Sequence, residues 1–154
     1  MSNICVYFEA QGFFLNNRFE PREIALLSAS ATIHSAVNHC LEEEDIPADC
    51  VWAVKEMQDH HGLSFQPSDN DMSISHLQAL ILRFYNANRN ADKFLIAYST
   101  DGAEKILRTV GIPRIKIPIH SLDEISICHL HPSHGNYHCA LGYAQRMFLE
   151  NLTD

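Results

Sequence analysis

The chain has 154 residues, of which 46% are hydrophobic and 19% charged, so one domain spanning residues 1–154 with a buried core is expected. The formal net charge of −8 argues against electrostatic binding of nucleic acid over a large part of the surface, although it is compatible with a local basic face. No apolar run approaches the roughly 20 residues that cross a bilayer, and residues 1–10 do not resemble a secretory signal. These features predict a soluble intracellular protein, cytoplasmic or nuclear, with no membrane partner.

The cysteines and histidines favour metal binding over disulfides. Five cysteines at positions 5, 40, 50, 128 and 139 make an odd, scattered set, which is typical of reduced thiols or metal ligands in a reducing compartment. Ten histidines add to the expectation of a metal, because the imidazole is the commonest metal-binding side chain.

The first third of the chain predicts an antiparallel meander. Residues 4–10 are apolar, aromatic and β-branched, which indicates a buried strand that ends before Gly12. Residues 13–15 and 23–30 predict two further strands, joined by the turn-forming residues Asn16, Asn17 and Pro21. Residues 32–41 fit either a strand or a helix.

The rest of the chain alternates between helices and strands. Apolar residues recur every three or four positions in 49–60 and 75–86, which predicts two helices. Residues 93–98 predict a strand, followed by a helix over 103–110 with N-cap candidates at 99–101 and a stop at Gly111 and Pro113. A strand over 114–119 and a helix over 138–152 complete the pattern. This order predicts an α/β fold with a mixed five-stranded sheet flanked by helices.

The clearest metal motif is formed by Cys128, His131 and Cys139. A Cys-x-x-His pair followed by a third ligand suits zinc, which binds sulfur at about 2.3 Å and nitrogen at about 2.0 Å. One more ligand would complete a tetrahedron. The nearby imidazoles that compete for places in this site are His129, His134 and His138.

Two polar residues mark the first strand. Glu9 and Gln11 are two positions apart, so their side chains leave the same face of the strand. A two-metal nuclease would place two carboxylates here to bind Mg²⁺, and Gln11 does not supply the second negative charge.

These residues carry a resemblance to a nuclease family. The segment Glu9-Ala-Gln11-Gly12 resembles the Asp-x-Glu-Thr-Thr-Gly strand of DEDDh (DnaQ-type) exonucleases, which have an RNase H-like fold. The segment from His138 to Ala144 is similar to their His-x-Ala-x-x-Asp-Ala helix, with His138 at the general-base position and Tyr143 where a metal-binding Asp belongs. Asp101 is the available counterpart of the family's middle Asp.

The departures from that pattern themselves resemble the Maelstrom domain, in which a Glu-Cys-His-Cys set binds zinc. The resemblance implies that Glu9 joins Cys128, His131 and Cys139 as the fourth ligand. It also implies single-stranded RNA binding, with or without cleavage, in small-RNA silencing of the piRNA kind. Four protein ligands would make the zinc structural, tying the first strand to the last helix.

Three functional interpretations remain at this stage. The first is a zinc-stabilised RNase H-like domain that binds single-stranded RNA, for which a basic face is predicted at Arg83, Arg89, Lys93, Lys105 and Arg108. The second is a catalytically inactive module that recruits a protein partner. The third is a residual nuclease that needs Mg²⁺ or Mn²⁺ and uses Glu9, Asp101 and His138 as catalytic residues.

Overall fold

The computed structural model describes residues 2–120, 125–132 and 137–152. Within these ranges the chain forms a six-stranded mixed sheet and four α-helices. The strands are β1 (Ile4–Leu15), β2 (Arg18–Leu27), β3 (Thr32–Asn38), β4 (Met72–Ser73), β5 (Leu95–Tyr98) and β6 (Arg114–Lys116). The helices are α1 (Val51–His61), α2 (Leu77–Asn88), α3 (Asp101–Val110) and α4 (Ala140–Asn151).

The sheet has the order β4-β3-β2-β1-β5-β6. Strands β1, β2 and β3 are antiparallel neighbours, whereas β5 is parallel to β1 and β6 is parallel to β5. The predicted α/β class with a mixed sheet is confirmed, but the count of five strands is wrong. The two short strands predicted at 4–10 and 13–15 form the single strand β1, the undecided segment forms β3, and the two-residue strand β4 was not predicted.

Gly12 explains why β1 continues where the sequence predicted an end. The register with β2 shifts between Gln11 and Gly12, so the glycine sits at a bulge rather than in a turn. A Cβ atom at Gly12 would lie 2.3 Å from the carbonyl oxygen of Glu20. Glycine therefore permits the close approach of β2, and the turn itself is made by Asn16, which has a φ of 58°, and Asn17.

Alternating side chains divide the core between the two faces of the sheet. Val6, Phe8 and Ile24 belong to a cluster covered by α2 and α3, while Tyr7 and Ala25 belong to a second cluster covered by α4. Helix α1 packs on the last part of β1, and its end contacts the residue before α4 through the His138 amide and the His60 carbonyl, 2.8 Å apart. The C-terminal end of α1 and the N-terminal end of α4 therefore meet on one side of the sheet.

The predicted helices are confirmed, with ends displaced by a few residues. Thr100 caps α3 by accepting a hydrogen bond from the Ala103 amide, and Gly111 ends that helix in the left-handed conformation. Cys139 occupies the N-cap position of α4 and accepts a hydrogen bond from Gly142. None of the helices in the described ranges is long and apolar enough to span a membrane.

Candidate metal centre

Four side chains from distant parts of the chain meet at one end of α4. They are Glu23, Cys128, His131 and Cys139, and their ligand atoms all lie within 4.8 Å of one another. Glu23, His131 and Cys139 are buried and Cys128 is half-buried. The three ligands that the sequence motif predicted are therefore brought together, and the fourth member is a carboxylate from β2.

The fold places each of these groups through a different element. Glu23 lies in β2 on the face that α4 covers, and Cys139 is the N-cap residue of α4. Cys128 and His131 belong to the segment that runs along the start of this helix, where a hydrogen bond joins the His131 amide to the Cys128 carbonyl. The Glu23 carboxylate accepts hydrogen bonds from the Ala140 amide at 2.8 Å and from the Cys128 thiol at 3.2 Å.

Neighbouring groups orient the His131 imidazole toward the cluster. Its Nδ1 donates a hydrogen bond to the carbonyl oxygen of His61, at the end of α1. Its Nε2 lies 3.0 Å from Glu23 Oε1, to which it donates a hydrogen bond when the imidazole is charged, and loss of that proton would leave a lone pair for a metal. Metal-binding histidines are usually oriented in this way by a hydrogen bond from the second ring nitrogen to a backbone carbonyl.

The carboxylate has a strong preference for its charged form. Burial alone would raise the pKa of Glu23, but hydrogen bonds from His131 and from His34, whose Nε2 is 2.9 Å away, hold that pKa well below its ordinary value. Burial by itself would lower the pKa of His131, yet its contacts with Cys139 and Glu23 raise it to about 10. The cluster therefore attracts positive charge, and in the metal-free chain a proton on His131 supplies it.

The two thiols share negative charge unequally. A hydrogen bond from Cys128 lowers the pKa of Cys139 to about 5, and the same contact, together with burial, raises the pKa of Cys128. The Gly142 amide, 3.4 Å from Cys139 Sγ, also stabilises a thiolate at this helix N-terminus. A divalent cation would stabilise both thiolates at once.

The donor set fits zinc. Two sulfurs, one imidazole nitrogen and one carboxylate oxygen are ligands that zinc accepts in tetrahedral sites. With bonds of about 2.0–2.3 Å, the ligand atoms of a tetrahedron lie about 3.3–3.8 Å apart. The four groups, which all lie within 4.8 Å of one another, would therefore need to move closer together by up to about 1 Å to share one ion.

The assignment of Glu9 as the fourth ligand requires correction. Glu9 is fully buried, but its carboxylate accepts hydrogen bonds from the hydroxyl and amide groups of Ser99 and Thr100. In the β1–β2 ladder Glu9 pairs with Ala25, whereas Gln11 pairs with Glu23. The carboxylate of the cluster is therefore supplied by β2, and Glu9 instead ties β1 to the N-terminus of α3.

Of the candidate catalytic residues, His138 lines a separate cavity of about 580 Å³, whereas Glu9 and Asp101 contact other residues of its lining. His138 lines it together with Ser99, Thr100 and Tyr143, and the hydroxyl of Tyr143 hydrogen-bonds to His138 Nδ1. The exposed carboxylate of Asp101 is 3.3 Å from Lys116, which also lines the cavity. Within the described ranges, Glu9, Asp101 and His138 do not form a cluster with metal-binding spacing.

Two of the three competing histidines, His129 and His138, lie outside the cluster. The ring of His129 packs edge-on against His34, with centroids 6.0 Å apart, and His138 contacts His60 and Tyr143. His134 lies outside the described residues.

The five residues predicted to bind RNA fall into separate groups. Lys105 and Arg108 line a groove beside the β1–β2 turn, where Arg108 forms an ion pair with Glu104 at 2.9 Å. Lys93 lines a cavity at the start of β1, and Arg89 lies beside it with its guanidinium 5.7 Å from the centre of the Tyr85 ring. Arg83 is exposed on α2.

Sequence reasoning missed Glu23 and His34. The sequence predicts Glu23 at the start of a strand, where a charged residue is common, although a carboxylate next to the apolar run Ile24 to Leu27 is itself a signal. His34 belongs to the segment whose secondary structure the sequence left open. Both are recognised as part of the site only when the strands are paired.

Gly142 sets the distance between α4 and the segment that carries Cys128. A Cβ atom at this position would lie 2.1 Å from the Ser126 carbonyl oxygen. We expect Gly142→Ala to destabilise the protein by about 1–3 kcal/mol through overpacking and to weaken metal binding. Urea denaturation and a competitive zinc titration measure the two effects. Gln145→Ala, exposed on the same helix, is the matched control, and equal behaviour of the two variants would contradict this role of Gly142.

No protein-family model matches this sequence, and comparisons with curated proteins and with solved structures gave no match.

Proposed function

We propose that this chain is a zinc-binding domain in which the metal is structural. The observation that carries the proposal is the convergence of four donor groups within 4.8 Å, with Glu23, His131 and Cys139 buried. Four protein ligands fill a tetrahedral site, which leaves no place for a reacting water. Bound zinc would join β2 to the start of α4 and to the segment before it.

Metal analysis of the purified protein tests this proposal. We expect about one zinc per chain, retained through dialysis against a weak chelator and lost with unfolding in a strong one. Purification from a medium that also contains iron, nickel and copper checks which metal is selected. The proposal would be contradicted if the protein is isolated without stoichiometric metal. It would also be contradicted if added zinc does not change the stability of the metal-free protein.

We further propose that the zinc-stabilised domain is RNase H-like and binds single-stranded RNA, as the resemblance to Maelstrom domains implies. The mixed sheet of an antiparallel meander followed by two parallel strands, flanked by helices, supports the fold assignment. The exposed cations Arg83, Arg89, Lys93 and Arg114 support RNA binding, since no ion pair engages them among the described residues.

Fluorescence anisotropy with a labelled single-stranded RNA of about 12 nucleotides tests RNA binding at about 20 mM and about 200 mM salt. We expect binding that weakens as salt rises. The same samples, analysed on gels with and without chelator or added Mg²⁺ and Mn²⁺, reveal any cleavage. An absence of binding at the lower salt concentration would remove this proposal and leave the zinc proposal intact.

A protein-interaction module is the second candidate function, and one observation favours it. Trp52 is 71% exposed and Val51 is 54% exposed at the start of α1, although large apolar side chains usually avoid water. A Trp52→Ala variant that loses co-purifying partners but keeps its zinc and its RNA affinity would favour this candidate.

The residual-nuclease hypothesis depends on residues that have other partners. Glu9 is engaged by Ser99 and Thr100, and burial, opposed by those hydrogen bonds, raises its pKa to about 7, which weakens its affinity for a cation near neutral pH. Asp101 is paired with Lys116. If cleavage is observed, its survival in Glu9→Ala and His138→Ala would exclude this mechanism.

A further inference from the structure

A cavity lined by both polar and apolar side chains lies at the opposite end of β1 from the β1–β2 turn. It has a volume of about 500 Å³, within the range typical of small-ligand sites. Its walls come from the start of β1, the β2–β3 connection and the last residues of α2 and α4. None of the metal-site residues lines this cavity.

The charge of this cavity differs from that of the protein as a whole. The chain has a formal charge of −8, yet no Asp or Glu is among the described residues that line the cavity. Lys93 lines it and has no ion-pair partner within the described part of the chain. Arg89 is close enough to lower the pKa of Cys5, another lining residue, against the larger effect of burial, which raises it. The mouth of the cavity therefore favours an anion.

The interior of the cavity offers an apolar wall and several hydrogen-bonding groups. Tyr7 and Phe148 form the wall, with their rings edge to face and 5.6 Å between centroids. Besides Lys93, the polar lining consists of hydroxyl and amide groups, from Ser2, Ser28, Ser30, Asn88, Asn90 and Asn151. Aromatic or aliphatic walls with amide donors and acceptors are what proteins use to bind an unstacked base.

Some of these polar groups retain hydrogen-bonding capacity. Asn90 uses its side-chain oxygen to accept from the amides of Asp92 and Lys93, which leaves its NH₂ group available. Asn151 donates to the Met147 carbonyl, and its side-chain oxygen accepts no hydrogen bond from the described residues. The cavity therefore offers both a donor and an acceptor, and the edge of a nucleobase presents both kinds of group.

We propose that this cavity binds one nucleotide of a single-stranded RNA, with the base against Tyr7 and Phe148 and the phosphate beside Lys93 and Arg89. The assignment rests on the proposed RNA binding, for which it names the binding surface. It also divides the basic residues predicted from the sequence, since Lys105 and Arg108 line a different groove next to Asp101 and Glu104.

The test compares variants in fluorescence anisotropy with the labelled RNA of about 12 nucleotides. We expect Lys93→Ala and Arg89→Ala each to weaken binding and to make the slope of log affinity against log salt less negative by about 0.7. Ser30→Trp, at an exposed position on the rim, should block the cavity and weaken binding without a change in the slope. Melting curves and zinc content verify that each variant is folded.

A matched control removes the same charge elsewhere. Lys55→Ala lies on the exposed face of α1. It lowers the net charge by one, so any long-range effect of charge affects it equally. We expect it to retain the wild-type slope.

The outcomes separate the two levels of the proposal. If the wild type binds RNA and the Lys93, Arg89 and Ser30 variants bind it equally well, the cavity assignment is overturned and RNA binding stands. If the wild type binds neither RNA nor a free nucleoside monophosphate, both proposals fail. Binding of the free nucleotide alone, lost in Ser30→Trp, would support a nucleotide cavity and overturn the RNA function.

Discussion

Cys139→Ser should abolish stoichiometric zinc binding and remove most of the stability of the fold. Structural zinc contributes on the order of 10 kcal/mol of folding free energy in small domains. For a protein of this size about 1 kcal/mol corresponds to about 2–4 °C, so losing that contribution should lower the melting temperature by at least about 20 °C. Metal analysis and circular dichroism melting, with and without a strong chelator, measure the effect.

Two comparisons make this prediction specific. Cys40→Ser removes an exposed thiol outside the cluster and should leave zinc content and melting temperature unchanged. Glu23→Gln should weaken zinc binding, whereas Glu9→Gln should not, because only Glu23 lies with the thiols and His131. Full zinc content in Cys139→Ser and Glu23→Gln would disprove the site, and a loss in Glu9→Gln would restore the ligand set predicted from the sequence.

Glu9→Gln should stabilise the protein at alkaline pH. Burial, despite the hydrogen bonds from Ser99 and Thr100, raises the pKa of Glu9 from 4.5 to about 7. Below the lower value the side chain is protonated in both folded and unfolded chains. As pH rises from 4.5 to 7 only the unfolded chain ionises, which favours unfolding by an amount that levels off at about 3 kcal/mol above pH 7.

Melting temperatures measured between about pH 5 and about pH 8 test this effect, with zinc in excess throughout. The difference between Glu9→Gln and wild type should increase with pH, starting at or below zero, since glutamine has one acceptor oxygen for the donors of Ser99 and Thr100. The control is Glu56→Gln, which removes a negative charge at an exposed position on α1. Its melting temperature should differ little from that of the wild type across this pH range. A constant difference for Glu9→Gln would mean that the buried carboxylate is already ionised at acidic pH.

Local chemistry accounts for the elements that were predicted well. The capping of α3 by Thr100 and its end at Gly111 depend on residues adjacent in the chain, and the apolar stripe of α2 depends on spacing within twelve residues. The division of β1 into two strands was wrong because Gly12 permits a bulge as readily as a turn. Only the partner strand distinguishes these two uses of glycine.

The sequence by itself determined the α/β class, the positions of the four helices and three of the four groups in the candidate metal site. Cys128, His131 and Cys139 lie within twelve residues of one another, so their spacing alone indicates that they bind one metal ion. The fourth group was decided by tertiary structure. The pairing of Gln11 with Glu23 places Glu23 beneath the start of α4. The pairing of β1 with β5 places the Glu9 carboxylate where it accepts hydrogen bonds from Ser99 and Thr100. Strand register is a non-local property, because it is set by the packing of whole faces of the sheet. Register therefore determines that Glu23 rather than Glu9 is the fourth group of the site, which the spacing of residues in the sequence does not show.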